Sequence, residues 1–456
     1  MFSKLIILSS IAFCLLTNAI FAQSNRPSMK SSTKKIDVKD GDVLKKAYWN
    51  LMPELKPDIY RVDGLEGKKM VTFYSDIDSI TIAVERDKTY DFDIILNNKD
   101  TCWTRISAVP KFYFDEAYIS QNKGKYTFEV PEVQELVHII IALTPTGLKD
   151  SNMVEHEGKY YKKVIKTFEK YKSEPIVGLI DDFLQKGSWT YTVLKMDACG
   201  FYFDKDKIVK DKKYQTMSWG DENFAEPYIS EIEKFAQKTN FRAFYKANLP
   251  LYKRQTKLLE VQTPIKQQWQ WLEKNFEPRY DHYRITFSPL VSGSHSTNCL
   301  EQDNFKQIIM FICGPFINST YNKKVQEALM TRTVFTEIDH NYVNPTSDKF
   351  RDEIDRSLQN LDKWAANYAL QNYPDSYAVF NEYMTWAVFT LYAAQYFNKT
   401  DFETINNKVE HKMAQLRGFP RFKAFNRKLM ELYNAKNKNE NIADLYPQII
   451  DWCKNQ

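Results

Sequence analysis

The chain has 456 residues, 43% hydrophobic and 15% aromatic, which is enough apolar material for two domains with cores of their own and too much for a disordered polymer. Its 63 basic and 58 acidic residues leave a net charge of +5. Both signs are spread along the whole length, so no basic arm marks a nucleic-acid partner.

The first residues, "MFSKLIILSSIAFCLLTNAIFAQS", place a lysine before an apolar run and small residues before Gln23. That is the layout of a secretory signal, here 1–22, cut after Ala22. Cys14 lies inside the apolar run behind Phe13, which is not the setting of a lipid-modified cysteine. Further on, the longest apolar window, around Phe380 to Phe397, contains Asn381, Glu382 and Gln395 and does not read as a membrane span. An exported protein is expected, periplasmic or extracellular, with no transmembrane segment after signal cleavage. Cys102, Cys199, Cys299, Cys313 and Cys453 remain after cleavage, an odd number with no metal-type spacing. They indicate no disulfide framework, although export would permit one bridge.

From about Met70 to Leu143, short β-branched and aromatic runs ("MVTFYS", "SITIAVE", "YDFDIILN", "CWTRIS", "TFEV", "VHIIIAL") alternate with turn residues. They predict an antiparallel β-sandwich domain over 23–150, with "ALTPTGLKDSN" as its boundary. Beyond it, "YYKKVIKTFEKYKSEPIVGLIDDFLQ" and "EPYISEIEKFAQ" carry apolar residues at helical spacing, and "SWTYTVLKMDACGFYFD" reads as a strand pair. Two further β-type runs, "YRITFSPLV" and "FKQIIMFICG", flank the polar loop "SGSHSTN", and from Tyr321 onward the pattern is helical. The second domain, 151–456, is therefore expected to be a mainly helical α+β domain.

Chemistry concentrates in "VFTEIDHNYVNP", Val334 to Pro345. Set beside H-E-x-x-H, in which two histidines hold zinc and the glutamate activates water, the window offers Thr336, Glu337 and His340. On a helix, Glu337, His340, Asn341 and Asn344 share one stripe, with Phe335, Ile338 and Tyr342 opposite, Asp339 pointing away, and "NP" ending the helix. An ordinary solvated helix face would show the same E-x-x-H. Glu382 adds weight, being the only charged residue between Asp375 and Lys399 in an aromatic helix pattern. Such a carboxylate lies on a narrow exposed stripe, pairs with a cation (Arg332 or Arg351), or binds a metal. A di-iron bundle would need two Glu-x-x-His helices, and the other match, Glu135 to His138, runs into the β-type segment "VHIIIAL".

"TEIDHNYVNP", with "NEYMTWA" following, resembles an uncharacterised family of exported bacterial proteins whose members read approximately H-E-F-x-H-x-x-x-N-P and keep a downstream Asn-Glu. That family looks like a relative of the glutamate-type zinc peptidases. The resemblance runs most specifically from Tyr283 to Tyr396 and implies a zincin-like domain, zinc as cofactor, His340 and Glu382 as metal ligands and Glu337 as general base. Thr336 stands where the pattern has its first histidine.

Among the other histidines, His138 reads as a strand residue, His156 and His411 as surface, and His282 as locally paired. His295, in a small flexible loop between two strands, is the candidate third ligand. No G-x-S-x-G or cysteine-nucleophile signature competes. Two functions are therefore expected: a zinc-dependent peptidase-like hydrolase acting on a polypeptide or envelope protein, or a catalytically inactive scaffold of that type serving as an envelope binding or interaction protein.

Overall fold

The computed structural model describes residues 26–456 apart from 54, 56, 63, 64, 66, 98, 99 and 316–319, so the expected signal segment 1–22 lies outside the described residues. The chain has both helices and sheets and divides into two compact units, Met1–Val109 and Pro110–Gln456.

In the first unit, strands β1 (Ser28–Ser31), β2 (Lys35–Asp40), β3 (Val43–Asn50), β4 (Asp58–Arg61), β5 (Lys68–Tyr74), β6 (Ser79–Glu85), β7 (Thr89–Leu96) and β8 (Asp100–Ser107) form two sheets. Their orders are β1-β7-β8-β4 and β3-β2-β5-β6. The second sheet is antiparallel throughout, as expected. The first is mixed, because β1 and β4 run parallel to their neighbours. Alternate residues point inward, so Ile36, Val38 and Phe73 of one sheet and Phe92, Ile94 and Ile106 of the other meet in one core. The rings of Phe73 and Phe92 lie 5.0 Å apart.

Two segments expected in the first domain belong to the second unit. "TFEV" falls mostly in β9 (Lys125–Glu129), which pairs in parallel with β12 (His282–Ser288). "VHIIIAL" completes a helix, Glu132–Leu143, whose residues from Val133 to Leu143 are all buried. A helix covered on every side has a continuous apolar run, which periodicity alone cannot tell from a strand. The division therefore falls at Val109/Pro110 rather than at 150. Likewise "SWTYTVLKMDACGFYFD" is a helix, Trp189–Ala198, followed by β10 (Phe201–Asp204), which pairs with β11 (Lys207–Lys210).

The central sheet of the second unit has the order β13-β14-β12-β9, with β13 (Ser296–Gln302) and β14 (Phe305–Cys313) completing it. β9, β12 and β14 are parallel, and β13 is an antiparallel edge strand. Two long helices, Lys323–Asp348 and Ser376–Tyr396, pack on each other through Phe335, which meets Phe389 and Tyr392. The first also lies on the sheet, where the hydroxyls of Tyr342 and Tyr283 are 2.6 Å apart.

Pro345 does not end that helix, as the sequence led us to expect; it sits inside. Proline has no N–H for the carbonyl four residues earlier. That carbonyl is Asn341 O, and the Tyr280 hydroxyl donates to it instead.

The edge strand is held by a loop organised on Asp197. This fully buried carboxylate accepts from Thr216 Oγ1, the amides of Met217, Ser218 and Phe224, and Ser218 Oγ, all within 2.9 Å. Asn298 of β13 then donates to Met217 O at 2.9 Å. Asp197→Asn, which turns an NH₂ toward several of these donors, should cost about 3 kcal/mol, since bonds to a charged group are worth roughly 1.5–3 kcal/mol each. Urea unfolding checks this; a loss under about 1 kcal/mol would mean that other contacts hold the loop.

Candidate functional site

The motif helix starts at Asn322, whose side chain accepts from Val325 N at 2.8 Å, and it passes beside β13. There Asn341 Nδ2 donates to Thr297 Oγ1 at 3.1 Å, fixing the register of helix and strand. The expected stripe is observed: Glu337, His340, Asn341 and Asn344 are partly exposed, while Phe335, Ile338, Asp339 and Tyr342 are buried. Asp339 thus points away from the stripe as expected. Both its oxygens are buried without a hydrogen-bond partner, and burial raises its carboxyl well above the usual range.

His340 and Glu382 converge. His340 Nε2 stands 3.6 Å from Glu382 Oε1, and its Nδ1 lies 3.4 Å from Asn344 Oδ1. Glu337 shares the neighbourhood: burial raises its carboxyl, the positive fields of His340, Lys195 and Arg417 act against this, and Glu382 acts with it.

Glu382 is 5% exposed, which rules out the exposed-stripe reading. Its partner is a cation, but neither of the two arginines named from the sequence. Arg417 Nη2 donates to Glu382 Oε2 at 2.6 Å and to the Tyr373 hydroxyl at 2.6 Å. Arg351 instead lies near Asp355 and Asp375, and Arg332 sits over the Trp386 ring at 4.6 Å. Arg417 reaches Glu382 because the helix Lys399–His411 loosens into a wide turn, Lys412–Leu416, and then reverses at Gly418. Gly418 has φ +80°, and a Cβ there would lie 2.8 Å from the Tyr368 ring, so both conformation and space require glycine.

Thr336, at the position of the pattern's first histidine, is buried. Its hydroxyl donates back to Arg332 O at 3.0 Å and Thr333 O at 3.3 Å, as helical threonines do. His295, the expected third ligand, has its Nε2 3.0 Å from Ser292 O, and burial together with Lys195 lowers its imidazole to about 3. Among the described residues no group of three or more His, Cys, Asp or Glu side chains could hold a metal ion, so His295 does not join His340 and Glu382 in one.

Two participants were missed in the sequence. Arg417, in "QLRGFP", sits at a helix interruption and carries no motif. Lys195 lies in "TVLKMDACG" two residues from Asp197, so it does not stand out as a lone charge the way Glu382 does. It is fully buried, donates to Ser294 O at 2.5 Å, and burial lowers it from 10.5 to about 7, with Glu337 acting upward. Of the remaining histidines, His138 lies on a buried helix, not a strand, and His282 Nδ1 lies 2.9 Å from Gln307 Oε1.

A cavity of about 1830 Å³ opens before Glu337 along the motif helix, lined by Arg332, Thr333, His295, Cys313 and Lys412 among others. The five described cysteines are unbridged.

Removing Arg417 strands a buried carboxylate. Arg417→Ala should cost about 2–4 kcal/mol, and adding Glu382→Gln should restore most of it, because losing one partner of a buried pair is worse than losing both. Chemical unfolding of the single and double variants measures the coupling. Lys195 gives a pH signature. Between about pH 7 and 10.5 the unfolded chain holds a proton that the folded chain has released, so this residue's contribution to stability rises with pH across that window and is lost as pH falls toward 7. Lys195→Met should flatten the slope of stability against pH there.

No protein-family model, no curated protein and no solved structure matches the chain.

Proposed function

We propose that this chain is an exported binding protein built on a zincin-like, peptidase-type scaffold, in which the motif cleft has exchanged zinc hydrolysis for ligand recognition. One observation carries the reading: Glu382, which the family resemblance makes a metal ligand, already has its charge met by Arg417 at 2.6 Å. A guanidinium keeps its charge at every physiological pH and makes directed bonds, but it offers no open coordination position for water. Thr336 supports the same reading, since its hydroxyl is spent on the helix backbone. The partner is a polypeptide or another envelope component.

The second reading keeps the hydrolase. His340 Nε2 and Glu382 Oε1 are 3.6 Å apart, too far for a direct hydrogen bond and close to the roughly 3.3–3.5 Å that two ligands of one tetrahedral zinc keep at about 2.0–2.2 Å each. Were zinc held there, His340 and Glu382 would be its donors, it would polarise a carbonyl, and Glu337 would take the proton of the attacking water.

Elemental analysis decides between the two. The purified protein should contain far less than one zinc per chain, and Thr336→His combined with Arg417→Met should raise that content, because a second histidine is added and Glu382 is released. Stoichiometric zinc in the unaltered protein, lost in His340→Ala and kept in Glu337→Gln, would establish the hydrolase reading instead.

A further inference from the structure

Three cations gather on one buried indole. Arg332, Arg417 and Lys412 stand over the Trp386 ring at 4.6, 4.9 and 5.8 Å. Arg417 has its carboxylate in Glu382. No carboxylate of the described residues pairs with Arg332 or Lys412; the Arg332 Nε is buried without a hydrogen-bond partner, and its Nη2 reaches only the Thr333 hydroxyl, at 3.4 Å. Cation–π contact with Trp386 holds each in place but does not cancel their mutual repulsion.

These two cations line the large cavity. The charge of that cavity is one-sided: Lys159, Lys163, Arg254 and Lys408 join Arg332 and Lys412, against Glu155 and Glu157. At about 1830 Å³ it exceeds the roughly 300–1,000 Å³ of small-molecule sites, so there is room for a ligand that carries more than its charged group.

We infer that Arg332 and Lys412, backed by the Trp386 face, form an anion subsite that receives a carboxylate or phosphate group of the ligand entering this cavity. The inference deepens the binding reading, on which it rests for the idea that the cleft recognises a ligand, by naming the ligand's charge. An incoming oxyanion would take the N–H donors that Arg332 now leaves unused and would relieve the repulsion among the three cations. Lys412 registers that repulsion, being lowered to about 8 by burial and by the fields of Arg332 and Arg417. Lys408 lines the same cavity, yet its ammonium is already bonded to the Tyr321 hydroxyl at 2.6 Å.

Calorimetric titration of the purified protein, first passed over a chelating resin, with inorganic phosphate and with tricarballylate separates the possibilities. Saturable binding of either anion is expected, and which of them binds more tightly identifies the group recognised. Arg332→Met and Lys412→Met should each weaken it about tenfold or more, while Lys408→Met changes it by less than about twofold. Neither variant removes a partner from a carboxylate, so both should melt at or above the temperature of the unaltered protein. Absence of saturable binding by both anions, or equal weakening in Lys408→Met, overturns the subsite. Because the protein is metal-free, that failure is distinct from failure of the binding reading, which zinc content decides.

Discussion

The second unit is arranged around a carboxylate that must not stand alone. Glu382 lies in the middle of a helix whose neighbours are Phe380, Tyr383, Met384, Trp386 and Val388, all buried. A charge in such surroundings costs several kcal/mol unless a counter-charge reaches it with good geometry. Arg417 does so, and the path it takes dictates local structure: the helix ahead of it opens into a wide turn, Gly418 takes a backbone conformation closed to other residues, and Tyr373 is drawn in to share the guanidinium. Trp386, one turn along from Glu382, then presents its face to Arg417 and to the two cations beside it.

Charge along the motif helix is consequently sorted by position. Toward the C-terminal half of the motif, Glu337, His340 and Glu382 hold acid and imidazole groups near one another, with Lys195 behind them. Toward the N-terminal half, Arg332 and Lys412 face open volume with no carboxylate of the described residues between them. Arg332 and Glu337 belong to one helix, so the cationic group that lines the cavity and the acid-imidazole group beyond it sit on a single rigid element.

Much of this was legible in the residues, and the gaps have physical causes. The E-x-x-H stripe and the exceptional standing of Glu382 could be read because a helix has a fixed angular step and a lone charge in an apolar run demands a partner. The convergence of His340 with Glu382 was expected from the family resemblance, which makes both of them metal ligands. The identity of the cation did not, because Arg417 is 35 residues from Glu382 and arrives by way of a distorted turn that has no sequence period. Helix Glu132–Leu143 was taken for a strand since its neighbours cover every face of it, and β1 to β4 escaped notice because short strands with charged outward positions lack a continuous apolar run. Pro345 reads as a stop only as long as the carbonyl it leaves unbonded has no other donor, and that donor, Tyr280, comes from 61 residues earlier.

Tyr280 has a bearing on the order in which the chain assembles. A helix normally completes its own hydrogen bonds from residues within reach of one turn, so it can form early and dock later. In the last turns of Lys323–Asp348 the Asn341 carbonyl takes its bond from outside the helix, from the segment leading into β12. Its C-terminal part therefore depends on a non-local contact even though it is helical. A change at Tyr280, outside the motif and outside the sheet, would thus reach both.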